Sequence, residues 1–152
     1  MPNYMFDTNA LVKYYHEEAG STKVKALIDD PQNRIFISDL SIVELVSSLA
    51  KKVRTGELRI TAFHNARRSF FIGIANGEYN IVLVTQKHGS RAIKLLVKHA
   101  TKRGLRTLDA LQLAIALDLK KSNLLDQFVS ADAKLDGVAK LEKIKFVNPE
   151  KF

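Results

Sequence analysis

The chain alternates short, continuously apolar runs with longer segments whose apolar positions recur at helical spacing. Short runs without polar alternation are typical of strands that are covered on both faces of a parallel sheet. The runs that we predict as strands span residues 4–6, 35–37, 81–84, 128–129 and 145–147.

Helical segments fill the intervals between these runs. We predict helices over 9–15, 22–28, 41–54, 61–75, about 90–102, 108–120 with Thr107 as N-cap, and 133–141. Strands that alternate with helices predict an α/β fold, here a single domain over residues 1–152 with a mainly parallel central sheet flanked by helices. The segments 41–54 and 61–75 have no strand between them, which predicts a projecting two-helix arm.

The composition limits the metal ligands and the partners that the protein can use. A length of 152 residues suits one domain with its own core, and the chain has no cysteine, so disulfides and thiolate metal sites are excluded. The formal net charge of +8 favours a polyanionic partner. The alternative explanation of this charge is a lysine-rich surface that is simply exposed to solvent. The first strand leaves no room for a signal peptide and no apolar run reaches about 20 residues, so we expect a cytoplasmic protein without a membrane span.

Four acidic residues stand next to the ends of predicted elements: Asp7, Glu44, Asp109 and Asp132. Taken one at a time, each fits a helix-capping role. Asp7 and Asp132 precede predicted helices, residues 41–44 read as a capping box, and Asp109 lies in a first turn, where the helix dipole favours a negative charge.

Taken together, the four acids predict a shared site. Parallel strands end at one edge of a sheet, and the helices that follow them begin there. Two carboxylates about 5 Å apart repel by roughly 3 kcal/mol at an effective dielectric constant of about 20, so a cluster of four recruits protons or cations. Mg²⁺ and Mn²⁺ are the cations that such oxygen ligands suit. Asp109 is the most informative of the four, because the helix that it opens is otherwise apolar nearly all round.

Four segments that span almost the whole chain are informative together: residues 6–9 (FDTN), 38–44 (SDLSIVE), 108–114 (LDALQLA) and 129–132 (VSAD) with Leu135. They resemble the PIN-domain nuclease family, in particular the VapC-type toxins of toxin–antitoxin pairs. The resemblance implies a PIN-like domain and a Mg²⁺- or Mn²⁺-dependent endoribonuclease that hydrolyses RNA phosphodiester bonds.

The resemblance also assigns roles to residues. Asp7, Asp109 and Asp132 are expected to bind metal, and Glu44 to bind a second ion or to orient the attacking water. The supporting polar residues that match the family are Thr8, Asn9, Ser38 and Ser130. Arg106, three residues before Asp109, is a candidate RNA contact, and we expect Asp136, one turn after Asp132, to face solvent.

Toxins of this kind are inhibited by a separate antitoxin protein and often form homodimers, so both partners are expected here in addition to RNA. One alternative is a PIN-fold RNA-binding or assembly module that no longer cleaves, although all four acids are retained. Another is a phosphotransferase of the haloacid dehalogenase kind with Asp7 as nucleophile. That chemistry usually requires a second aspartate two residues later, where this chain has Asn9.

Overall fold

The structure, a computed structural model, describes residues 1–151 and places five parallel strands in one sheet of order β3-β2-β1-β4-β5. The elements in chain order are β1 Asn3–Phe6, α1 Thr8–Tyr15, α2 Ser21–Asp29, β2 Arg34–Ser38, α3 Asp39–Arg54, α4 Ile60–Ala75, β3 Asn80–Val82, α5 Gln86–Arg103, α6 Thr107–Lys121, β4 Gln127–Val129, α7 Ala133–Leu141 and β5 Phe146–Val147. The predicted α/β fold with a parallel central sheet is therefore confirmed.

Both faces of the sheet are covered, which explains why its strands are apolar without alternation. Successive residues of one strand point to opposite sides. In β1, Met5 joins a core formed with helices α5, α6 and α7, whereas Phe6 joins the core formed with α1 to α4. Phe128 and Val129 of the neighbouring strand β4 divide between the same two cores. Strand β1 lies at the centre of the sheet, since Tyr4 pairs with Ile35 on one side and with Gln127 on the other.

Two helix starts differ from the prediction because their caps use unexpected side chains. Helix α3 begins at Asp39, where Ser38 is the N-cap and its hydroxyl accepts from the Ser41 N–H, so the predicted capping box at 41–44 is wrong. Helix α5 begins at Gln86 rather than near residue 90. Its N-cap Thr85 donates its N–H to Nδ1 of His88, a reciprocal cap in which histidine replaces the usual glutamate.

Two smaller corrections concern the elements next to these caps. Thr107 is the first residue of α6 rather than its N-cap, and the preceding Arg106 makes no side-chain capping bond. Strand β3 ends at Val82, and the N–H of Val84 donates to Asp39 Oδ1 instead of continuing the ladder.

Helices α3 and α4 follow each other without an intervening strand, as predicted. Leu45 and Leu49 of α3 and Phe70 of α4 are fully buried, and they pack into the core that also holds Phe6. The outer face of α4 stays open, with Ile60, Phe71 and Ile72 exposed. Within residues 1–151, no helix is long and apolar enough to span a membrane.

Candidate nuclease site

Asp7 sits where the central strand β1 ends and helix α1 begins. Its backbone N–H donates to the Val129 carbonyl (2.9 Å), which locks the end of β1 to the end of β4. Its Oδ1 accepts from the Thr8 N–H (2.8 Å), so Asp7 is the N-cap of α1, as one interpretation of the sequence predicted. Its other oxygen, Oδ2, accepts from the Ser130 hydroxyl (3.0 Å) and the Asn9 amide (3.2 Å).

The Asp7 carboxyl group is buried, and its surroundings destabilise its ionised form. The pKa of this group is raised to about 7, mainly by burial; the nearby charges of Asp109 and Glu44 contribute to the rise, while hydrogen bonds from Ser130 and Thr8 oppose it. No ion pair within residues 1–151 neutralises this carboxylate. A buried carboxylate without a cationic partner is chemically suited to bind a cation.

Glu44 lies in the second turn of α3 and is held by side chains from two other helices. Its Oε1 accepts from the Thr8 hydroxyl (3.1 Å) and from Nε2 of Gln112 (3.2 Å). Gln112 also donates to the Ser41 hydroxyl oxygen (2.9 Å), which lies 3.0 Å from Thr8 Oγ1. Burial raises the pKa of Glu44, Asp109 raises it further, and the two donors oppose that shift.

Asp109 and Asp132 complete the acidic group. Asp109 lies in the first turn of α6, as predicted, and burial together with the charge of Asp132 raises its pKa, against the effect of Arg106. Arg106 is 82% exposed, with its Nε 3.8 Å from Asp109 Oδ2. Asp132 is the N-cap of α7, as predicted, and its Oδ1 accepts from the N–H groups of Lys134 and Leu135.

The four carboxylates are linked by charge repulsion in pairs, but they do not form a ready-made metal cage. The charges of Asp109 and Glu44 raise the pKa of Asp7, and the charge of Asp132 raises the pKa of Asp109. Within residues 1–151, no three acidic or histidine side chains are arranged so that they could hold a metal ion. The donor set, all carboxylate oxygen and partly desolvated, still fits Mg²⁺ or Mn²⁺, because Mg²⁺ is usually held by one or two carboxylates and by the phosphates of the substrate.

Glu44 and Asp109 border an open groove of about 550 Å³, together with Arg106 and Leu108. Asp7 lies beneath the surface, 5% exposed. A ligand in this groove therefore meets Glu44 and Asp109 first.

The polar residues expected to support the site occupy three distinct positions. Asn9 bridges the ends of β1 and β4, because its Oδ1 accepts from the Ala131 N–H (2.9 Å). Ser130 Oγ accepts from the Asp132 N–H (3.1 Å) and so links two of the acids. Ser38 is buried and its Oγ lies 3.4 Å from Ser41 Oγ, one step further from the carboxylates.

The side chain of Asp136 is 22% exposed, so it is half-buried and does not face solvent as predicted. Its Oδ2 lies 3.5 Å from Nζ of Lys140 on the surface of α7. No hydrogen bond or ion pair in residues 1–151 joins its carboxylate to Asp132 or Asp109.

Sequence reasoning missed Gln112, which donates to Glu44, and the role of Ser41, whose hydroxyl accepts from both donors of Glu44. The signal for Gln112 was present in the sequence. It is the only polar residue between Ala110 and Leu117, and it lies one turn after Asp109 on the same face of α6. Burying an amide costs free energy unless it is hydrogen-bonded. A glutamine in an otherwise apolar helix therefore indicates either a structural hydrogen bond or a functional role.

The fold and this edge of the sheet define the class of protein. The sequence pattern of the PIN domain matches residues 4–141, and the chain belongs to the PIN-domain family. No curated protein matches the sequence.

Several solved structures share the fold. VapBC2 from Rickettsia felis, bound to a DNA fragment from its promoter, superposes with a TM-score of 0.60 at 18% identity, covering 95% of this chain and 97% of that chain. VapC20 of Mycobacterium tuberculosis, a sarcin–ricin loop cleaving toxin, gives 0.64 at 17% identity over 88% and 93% of the two chains. FitAcB from Neisseria gonorrhoeae gives 0.65 at 14% identity over 98% and 99%. At these identities the likeness establishes the fold.

Proposed function

We propose that this protein is a metal-dependent endoribonuclease that hydrolyses RNA phosphodiester bonds, and that it is the toxin of a toxin–antitoxin pair. The observation that carries the proposal is the coupled acidic group of Asp7, Glu44, Asp109 and Asp132 at the carboxyl edge of a PIN-domain sheet. Solved structures of the same fold include a toxin that cleaves the sarcin–ricin loop and several toxin–antitoxin complexes, which supports the same class of activity for this chain.

In this proposal Asp7, Asp109 and Asp132 hold Mg²⁺ or Mn²⁺, and Glu44 binds a second ion or orients the attacking water. A bound divalent ion supplies an activated water and stabilises the charge that develops on the phosphate and on the leaving oxygen. Thr8 and Gln112 keep Glu44 directed toward the groove through their bonds to its Oε1. Ser130 and Asn9 hold the Asp7 carboxylate in one orientation.

Arg106 is suited to contact the RNA in this proposal. Its guanidinium group is exposed beside Asp109 at the border of the groove. A mobile cation at that place can bind a phosphate oxygen of the substrate without filling the metal site.

The direct test compares cleavage of a labelled RNA by the native protein and by Asp7→Asn and Asp109→Asn, with Mn²⁺ or with EDTA. The native protein with Mn²⁺ should cleave, and each of the other combinations should lose the activity. Asp30→Asn, which changes the exposed aspartate at the C-cap of α2, is the matched control and should cleave like the native protein. Undiminished cleavage by both site variants would reject the assignment.

The same assay separates the nuclease from a silent RNA-binding module. A silent module would bind the RNA without cutting it, whether or not Mn²⁺ is present. Isothermal titration of Mn²⁺ into the native protein with a bound oligonucleotide provides a second readout, and absence of Mn²⁺ uptake would contradict the metal-dependent mechanism.

A protein partner is also part of the proposal. A groove of about 280 Å³ runs between α1 and α3 beside Asn9, and the exposed Ile60, Phe71 and Ile72 lie on the outer face of α4. These features support an antitoxin that covers the region of α3 and α4 near the acids, and the chain is also expected to form a homodimer. Growth arrest on expression that Asp7→Asn abolishes, and that co-expression of a neighbouring gene product relieves, would establish the toxin role.

A further inference from the structure

Helix α5 concentrates the positive charge of the protein. Its 18 residues include six Lys or Arg and no Asp or Glu, so this helix contributes +6 of the formal net charge of +8. Five of the six basic residues recur at intervals of four, three, four and four residues, which places them along one face of the helix. We call this row the basic stripe; it consists of Lys87, Arg91, Lys94, Lys98 and Lys102.

The basic stripe borders the buried face of the helix without being part of it. The residues that α5 buries are His88, Ala92, Leu95 and His99. Lys87 and Lys98 share the carboxylates of Asp118 and Glu142 with these two histidines, yet their side chains remain 64% and 61% exposed. These two carboxylates therefore hold two of the five stripe residues in place without removing their charge from solvent.

The central and last residues of the stripe have no such partner. Arg91, Lys94 and Lys102 make no ion pair within residues 1–151, and Lys94 and Lys102 are exposed. Unpaired cations in a row produce a strong local field that attracts a polyanion. The stripe extends over about 22 Å at 1.5 Å per residue, a length over which a stacked nucleic-acid strand presents about six phosphates.

The shape of the surface favours a strand over a flat partner. Four of the five stripe residues line an open groove of about 640 Å³, together with Ser90, Leu95 and Glu142. A single polynucleotide strand can lie in an open groove lined by cations, whereas a flat bilayer surface would contact only its rim.

The stripe also leads toward the acidic group. The start of α5 lies beside Asp118 near the end of α6, and the end of α5 joins the start of α6 through residues 104–106. The two helices are therefore antiparallel neighbours, and Lys102 lies at the end of the stripe that is nearest to Arg106 and Asp109.

We propose that the basic stripe of α5 is a binding track for the phosphate backbone of RNA, which guides a single strand toward the groove beside Asp109. The inference rests on the proposed ribonuclease function and deepens it, since it assigns the surface that holds the substrate outside the reacting centre. Phosphate contacts of this kind supply affinity and orientation without reading sequence.

The test measures binding and not cleavage. A fluorescein-labelled single-stranded RNA of about 20 nucleotides is titrated with the native protein in EDTA over a range of KCl concentrations. The variant Arg91→Gln/Lys94→Gln/Lys102→Gln should bind more weakly, and the slope of log affinity against log salt should become shallower by about 2. The control variant Lys25→Gln/Lys145→Gln/Lys151→Gln removes the same charge from positions outside α5, one of them half-buried and two exposed, and should keep the native slope.

Each outcome decides the inference. Equal losses in the two variants would overturn it, because they would show that only net charge matters. Duplex DNA of the same length is titrated in parallel, and a loss of affinity for this DNA with no change for RNA would overturn the inference in favour of a DNA-binding surface. A native protein that does not bind RNA in EDTA would also overturn it. RNA binding that depends on the stripe, combined with a native protein that leaves RNA intact in Mn²⁺, would reject the nuclease while the stripe assignment stands.

Discussion

Replacing Asp7 by Asn is expected to stabilise the metal-free protein at alkaline pH. The pKa of Asp7 rises from 3.8 to about 7, mainly through burial. At 1.36 kcal/mol per pKa unit, the free energy of unfolding is about 4 kcal/mol higher when Asp7 is protonated than when it is ionised. Because the folded-state pKa is the higher one, this stabilisation is fully present below about pH 4 and is lost as the pH rises through 7.

The asparagine side chain keeps the shape of the protonated acid but cannot ionise. The difference in unfolding free energy between Asp7→Asn and the native protein should therefore grow by about 3 kcal/mol in favour of the variant between pH 5 and pH 8. Urea unfolding in EDTA at several pH values measures this difference. Asp30→Asn is the control, and it should track the native protein at every pH.

A difference that stays constant from pH 5 to pH 8 would refute the reasoning, because it would mean that Asp7 is not held at an elevated pKa by its surroundings. Saturating Mn²⁺ supplies a second check. It should raise the stability of the native protein at pH 8 and should have a smaller effect on Asp7→Asn, since a ligand stabilises only the state that binds it.

Three further changes test the fold around the site. Gly20→Ala should destabilise more than Gly56→Ala in thermal unfolding: both have positive φ, but only at Gly20 would the new Cβ lie 3.0 Å from the Pro149 carbonyl group. Leu113→Ala should lower the unfolding free energy in urea by about 2–5 kcal/mol, because the side chain is fully buried between α6 and the sheet. Ser38→Ala should cost about 1 kcal/mol through loss of the α3 cap, measured in the same way, and an unchanged midpoint would contradict the cap assignment.

The sequence predicted the sheet and most helices because burial on two faces leaves a strong pattern. Met5 and Phe6 are both apolar because each meets a different core, and the same holds for Phe128 and Val129. Helix starts were harder to predict. The cap formed by Thr85 and His88 depends on which ring nitrogen accepts a hydrogen bond, and residue-type preferences for caps do not contain that information.

The four acids could be proposed from the sequence because each follows an element that ends or begins at the same edge. Their hydrogen-bond partners could not be proposed so easily. Gln112 reaches Glu44 from a helix 68 residues further along the chain. That contact depends on how α6 packs against α3, and spacing along the chain does not specify such packing.

The pairing of β1 with β4 has a consequence for synthesis on the ribosome. The backbone and carboxylate of Asp7 are held by Val129 and Ser130, which emerge more than 120 residues later. An all-parallel sheet built from such distant segments forms only when nearly the whole chain is available. A nascent chain therefore carries Asp7 without the partners that complete the acidic site, so the nuclease activity that we propose would arise only near the end of synthesis.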